Sequence, residues 1–274
     1  MSSDDRFSRW IAALEAKHFA ELTFPEVSRA LRALSSTYVE RRRKLAQGAA
    51  LSGAGKRAAF ALFYAPLHHL LVQHIAANLP GATRCAPTLI DLGCGTGASG
   101  AAWAHACTTS TRVIGIDRHP WALGEAADTY RAFGIAATVR QGDVATAKLP
   151  APPAAMLAAF TVNELDDPAR DALLPRLLDR ARRGDRILII EPLAGFVAPW
   201  WKTWREAFES AGGRADQWRL RAELPPIVEK LDRAAGLNHR EITGRSLWLA
   251  GKGPYPLKRD RRTSERKGRE ARNA

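Results

Sequence analysis

Leu89-Ile90-Asp91-Leu92-Gly93-Cys94-Gly95-Thr96-Gly97-Ala98-Ser99-Gly100 is the stretch that decides the fold. A short apolar run, interrupted by one acid, gives way to closely spaced glycines and then to small residues suited to a helix start. Glycines at such a junction let backbone approach a ligand and take conformations that a side chain forbids. The spacing of Gly95, Gly97 and Gly100 also satisfies the dinucleotide pattern G-x-G-x-x-G, so the glycines by themselves leave two ligand classes open.

Downstream, short apolar runs alternate with helical stretches, which signals a parallel sheet with crossover helices. The runs are Thr88 to Leu92, Arg112 to Asp117, Ala136 to Gln141, Ala155 to Thr161 and Arg186 to Glu191. Asp166-Asp167-Pro168 caps a helix that reaches about Arg183, where Gly184 stops it, and Pro225-Pro226 opens another that ends near Gly236. Arg240 to Thr243 and Ser246 to Ala250 read as two last strands joined at Gly244 in an antiparallel hairpin. The expected fold is therefore α/β: a doubly wound, mostly parallel, seven-stranded Rossmann-like sheet with an N-terminal helical extension. Its expected division is a helical region at 1–80, a ligand-binding domain at 81–252 and a disordered basic tail at 253–274.

In the N-terminal region Phe7, Trp10, Ile11 and Leu14 fall at helical spacing, and Thr23-Phe24-Pro25-Glu26 offers a capping threonine with a glutamate three residues on. Val27, Leu31 and Leu34 form the inward face of that second helix. A third helix is expected from about Lys56 to Leu79, kinked at Pro66. His68, His69 and His74 lie on it, but none are four apart, so they read as packed or surface histidines and no metal is expected. The run Arg41 to Lys44 reads as a solvated face.

The 274 residues hold 41 Lys and Arg against 28 Asp and Glu, a net charge of +13 that attracts polyanions, nucleic acid first among them. Lys258 to Ala274 concentrates basic residues without large apolar ones, which predicts a disordered tail that either solubilises the chain or binds RNA. The acidic, amphipathic start lacks the features of a secretory signal, and no apolar run has the length of a spanning helix, so a soluble, cytoplasmic protein with no membrane partner is expected. Cys85, Cys94 and Cys107 match neither a zinc site nor a disulfide framework and suit a reducing compartment. Cys94 reads as a small loop residue, because no histidine stands beside it in sequence to activate a thiolate.

Asp91 separates the two ligand classes. A carboxylate just ahead of the glycines repels a pyrophosphate but favours a cationic ligand, and S-adenosylmethionine carries both a sulfonium and an ammonium. Asp117 ends the second strand, placed to accept from ribose hydroxyls, and Asp143 follows the third, placed to hold an adenine amino group. With Gly93, Cys94, Gly95 and Gly97 of the loop, and with Arg118 and Val144 beside the two acids, these form the expected cofactor site. Through DLGCGTG, Asp117 and the Gly142-Asp143 pair, residues 85 to 251 resemble the class I methyltransferase superfamily, which implies an S-adenosylmethionine-dependent methyltransferase.

A second resemblance, to the small-ribosomal-subunit-associated methyltransferase-like family, rests on Leu31 to Arg42, on Thr161 to Leu165 and on Ile189 to Pro192. It implies RNA or the small ribosomal subunit as partner. The chain departs from the mitochondrial members in lacking their cysteine cluster. The loop Asn163-Glu164-Leu165-Asp166 is not the Asn/Asp-Pro-Pro-aromatic motif of exocyclic amine methylation, and no cysteine beyond Cys107 is available for attack on a pyrimidine ring. Asn163 and Glu164 are the expected catalytic residues, as acceptor positioner and proton acceptor, with Glu191 a further candidate. Trp200, Trp201, Trp204 and Trp218, interleaved with basic residues, suit either core packing or base stacking. Two other functions fit the same residues: a cofactor-retaining ribosome assembly factor without turnover, and a methyltransferase for a small molecule or protein.

Overall fold

The computed structural model describes residues 3–40, 51–193, 198–237 and 239–251. The basic run Arg41 to Lys44 and the tail from Lys258 therefore lie outside the described residues. Within them no helix is long and apolar enough to cross a membrane.

Seven strands form one sheet in the order β3-β2-β1-β4-β5-β7-β6, with β1 Thr88–Leu92, β2 Arg112–Asp117, β3 Ala137–Gln141, β4 Ala155–Ala159, β5 Arg186–Glu191, β6 Arg214–Leu220 and β7 Ile242–Ala250. The first five pair in parallel, and β7 runs antiparallel to both of its neighbours. Successive strand residues go to opposite faces, so Leu89, Val113, Leu157 and Leu188 enter one apolar layer while Ile90, Ile114, Met156 and Ile187 enter the other.

The first layer is covered by α1 Ser3–His18, α2 Phe24–Glu40, α3 Ala54–Ala59, α4 Ala65–Asn78, α5 Ala98–Ala106, α6 Pro120–Ala132 and, after β6, α9 Pro226–Ala234; the second by α7 Asp167–Arg182 and α8 Trp201–Ser210. The Thr23 backbone N–H donates to the Glu26 carboxylate at 2.8 Å, the expected reciprocal contact at the start of α2. Asp166 caps α7 by accepting from the Ala169 N–H at 2.9 Å. The N-terminal helices share the sheet's core: the Trp10 indole donates to Thr129 at 3.1 Å, and His69, 1% exposed, holds Ala98 O with its Nδ1 at 3.2 Å.

Four expectations are corrected. The third helix, expected to run from about Lys56 to Leu79 with a kink at Pro66, is not one continuous α-helix. It widens just before that proline, into a π-helix over Phe60–Tyr64 in which the Ala65 N–H donates to Phe60 O. A proline has no N–H for the carbonyl four residues back and its ring crowds that carbonyl, and the wider turn moves the obstruction aside.

The final hairpin at Gly244 is instead one strand, β7, whose second partner is β6, a stretch read above only as a tryptophan-rich insertion. Gly244 serves close packing: a Cβ there would stand 2.7 Å from Leu71 Cδ2. Third, β4 stops at Ala159, because Phe160 turns to φ 59°. Last, Cys85 and Cys107 form a disulfide with 5.5 Å between their Cα atoms. They lie 22 residues apart, one before β1 and one at the end of α5, so spacing carried no sign of the pairing.

Candidate functional site at the carboxyl edge of the sheet

Parallel strands end together, and their ends place five acids in a row: Asp143 after β3, Asp117 on β2, Asp91 in β1, Glu164 after β4 and Glu191 on β5. The glycine loop rises between the first three and the last two. Gly93 and Cys94 both give their N–H groups to Ile116 O, at 2.8 and 3.0 Å, which lays the loop over β2. Gly93 has φ 66° and packs so tightly that a Cβ would meet the Thr161 side chain at 2.4 Å. Gly95, by contrast, has open space over it, the nearest group being the Phe60 ring at 3.9 Å from a Cβ position. That bare backbone is a cradle for a ligand, bordered by an aromatic ring.

Asp117 takes the Gly95 N–H on one oxygen at 2.9 Å and the His119 N–H on the other at 2.8 Å. Its carboxylate thus joins the glycine loop to the start of α6. Arg118 stands 3.9 Å from Asp143, whose other oxygen accepts from the Ala145 N–H at 2.8 Å. Val144 does not face the edge with its side chain, which is buried in the second apolar layer.

Asp91 lies beneath the loop, 1% exposed, and accepts from the Tyr130 hydroxyl at 2.8 Å. Burial pushes its carboxyl up to about 7, the Tyr130 hydrogen bond opposing and Asp117 adding to the rise. Cys94 is buried beside it, and burial together with the Asp91 and Asp117 charges raises the thiol well above its usual range, which leaves no reactive thiolate.

Across the loop, Val162–Glu164 form a single 3-10 turn. The Asn163 N–H donates to Glu191 at 3.1 Å, and the Asn163 side-chain oxygen accepts from the Trp200 indole at 3.0 Å. Burial lifts Glu164 to about 7, with Asp117 adding to the effect and Arg118 opposing it. Glu191 is fully buried and lifted to about 8, again by burial first. Trp204 is core, and Trp200 and Trp201 pack against the same layer. Phe160 stacks on His68 at 3.7 Å between centroids, and burial keeps His68 neutral by lowering it to about 3.

The edge therefore assembles Asp91, Gly93, Cys94, Gly95, Asp117, Arg118 and Asp143 on one side and Asn163, Glu164 and Glu191 on the other. Sequence reasoning missed Tyr130 and Thr161, which hold Asp91 and the loop, and Phe60, which borders the cradle. Tyr130 is 39 residues from Asp91, and no local pattern connects them.

Residues 89–184 match the family model for the methyltransferase domain. A search of curated proteins matches none of them to this chain. Among solved structures, the mitomycin 7-O-methyltransferase MmcR aligns with 17% identity and a TM-score of 0.50, covering 88% of this chain and 72% of that one. The N-methyltransferase NodS of Bradyrhizobium japonicum, solved with S-adenosyl-L-homocysteine, aligns at 12% identity and TM-score 0.45 over 68% of this chain and 86% of its own. An O-methyltransferase from neocarzinostatin biosynthesis, solved with S-adenosylmethionine, aligns at 17% identity and TM-score 0.43 over 71% and 58%. Residues 89–184 thus match a methyltransferase domain, and the seven-stranded, mostly parallel sheet with its glycine loop held by a strand-end aspartate is the Rossmann-like methyltransferase fold.

Proposed function

We propose that the chain transfers the methyl group of S-adenosylmethionine to RNA, as a free molecule or within a small-ribosomal-subunit particle. Charge carries the RNA reading: 41 basic against 28 acidic residues give +13, a field that draws in a polyanion. Arg118, Arg221 and Arg240 stand at or beyond strand ends on the carboxyl edge, and the Phe63 ring lies 5.6 Å from that of His239, which lines one cavity with Arg221 and Arg240.

In this reading Asp117 receives the ribose hydroxyls, Asp143 the adenine amino group, Asp91 the ligand's ammonium, and the bare backbone at Gly95 allows close approach. The cofactor supplies an electrophilic methyl carbon on a sulfonium. Glu164 accepts the acceptor's proton, and Glu191 holds the Asn163 backbone so that the 3-10 turn stays in register with the glycine loop.

Asp91 then makes cofactor uptake depend on pH. A carboxyl that titrates at about 7 is partly protonated in the free protein, whereas a neighbouring cation favours its ionised form. Binding should release a proton, and affinity should fall roughly tenfold per pH unit below about 7. Calorimetry at about pH 6 in two buffers of different ionisation enthalpy reads the proton directly; identical heats would remove Asp91 from the binding role.

Incubation with radiolabelled S-adenosylmethionine and separated RNA, protein and small-molecule fractions tests the function, and label is expected in RNA. Label confined to another fraction would replace the acceptor. One observation favours a binding factor without turnover: the Trp200 indole already occupies the Asn163 side-chain oxygen. Label in no fraction would move the assignment there.

A further inference from the structure

β6 runs parallel to β5 and β7 antiparallel to both, so Leu220 at the end of β6 and Ile242 at the start of β7 lie on the same carboxyl edge as the cofactor site. Just beyond them Arg221, His239, Arg240, Glu241 and Thr243 line an open cavity of about 740 Å³. In the strand order β3-β2-β1-β4-β5-β7-β6, the three aspartates of the cofactor site occupy one end of the edge and this cavity the other. The π-helix spans the interval. Phe60 borders Gly95, and Phe63, three residues on, lies with its ring centroid 5.6 Å from that of His239.

We propose that Arg221, His239, Arg240 and Thr243 form a phosphate-binding subsite that holds an RNA phosphodiester of the methyl acceptor. Its assignment to the acceptor rests on the RNA reading above. Charge decides the sign of the ligand. Glu241, the one carboxylate in the lining, is taken by Arg221 Nε at 2.9 Å and Arg219 Nη1 at 3.4 Å, while Arg240 is exposed and makes no ion pair among the described residues. Two guanidinium groups against one carboxylate in the lining leave it positive.

Donor geometry decides the class. His239 is fixed by Asp232, which stands 2.5 Å from its Nδ1 and accepts its backbone N–H at 3.0 Å, so the second ring nitrogen is held in one place. Asp232 itself is 7% exposed, and that anchorage is therefore part of the fold. Two planar guanidinium groups, a hydroxyl and, in the protonated ring, the second imidazole N–H line one cavity from separate strands and loops and match the several oxygens of a phosphate better than a two-oxygen carboxylate. The position, away from the reacting groups but on their edge, suits a contact that sets the register of a strand while a base is presented elsewhere.

The test uses the full chain labelled with 15N and titrated with inorganic phosphate, with chloride at matched ionic strength as control. Saturable shifts of the His239 ring and the Arg221 and Arg240 Nε–H signals, absent with chloride and lost in an Arg221→Gln/Arg240→Gln double variant, are expected. Failure to see them overturns the subsite whatever RNA does. Fluorescence anisotropy with a single-stranded RNA should then show the double variant about tenfold weaker, its log-affinity slope against log salt shallower by about one to one and a half, with S-adenosylmethionine affinity unchanged. Phosphate binding with wild-type RNA affinity in the variant overturns the assignment to the acceptor. Phosphate binding by a chain that takes up no RNA supports the anion subsite and removes the RNA reading instead.

Discussion

Replacing Asp117 with alanine is expected to weaken S-adenosylmethionine binding by roughly two to three orders of magnitude, about 3 to 4 kcal/mol. The carboxylate receives two backbone N–H groups, from Gly95 at 2.9 Å and His119 at 2.8 Å, and each such bond to a charged acceptor is worth about 1.5 to 3 kcal/mol. Losing them frees the bare backbone of the cradle and unties it from α6, and the acceptor for the ribose hydroxyls disappears at the same time. Asp117→Asn keeps one acceptor oxygen but puts an amide N–H opposite one of the two backbone donors, so it should fall between the alanine variant and the wild type. Isothermal titration calorimetry measures the affinity, and a thermal melt of the same samples separates a loosened loop from a lost fold. An alanine variant that bound within threefold of the wild type would take Asp117 out of the site.

Changing Glu164 to glutamine should lower kcat by about two to four orders of magnitude at saturating cofactor, the usual scale for a positioned proton acceptor. Burial raises this carboxyl to about 7, so its basic form accumulates as pH rises through that value. Wild-type kcat is therefore expected to climb through about pH 7 and level above it, and the glutamine variant to lose that rise while binding cofactor normally. Saturation matters because Asp91 titrates in the same range and acts on cofactor uptake. A flat wild-type profile with an unimpaired glutamine variant would mean that the acceptor reacts as a free nucleophile, and that Glu164 serves the electrostatics of the pocket alone.

Most of the edge was legible in the chain itself. Asp91, the glycines and Asp117 sit within 27 residues of one another, where the change from an apolar run to glycines and back to an apolar run marks strand, turn and strand. Asp166 and Gly184, capping and stopping α7, were likewise readable, because caps answer to neighbours a few residues away. β6 escaped notice since Arg214–Leu220 alternates at an edge with only partial burial and carries no continuous apolar run. Gly244 misled for a related reason. A glycine needed for a close approach to Leu71, 173 positions earlier, looks in the chain like one needed for a turn.

Local chemistry thus determined the parallel α/β sheet, the glycine turn and the acids at the ends of its strands, because each depends on residues adjacent in sequence. Three-dimensional packing decided what those groups experience. Tyr130 and Gly100 enclose Asp91, Thr161 closes on Gly93, Trp200 takes hold of Asn163, Cys85 meets Cys107, and the arginines at 221 and 240 come to one cavity around His239. Burial, charge and hydrogen bonding depend on distances in space, and contacts between residues tens of positions apart leave no periodic trace in the order of the chain.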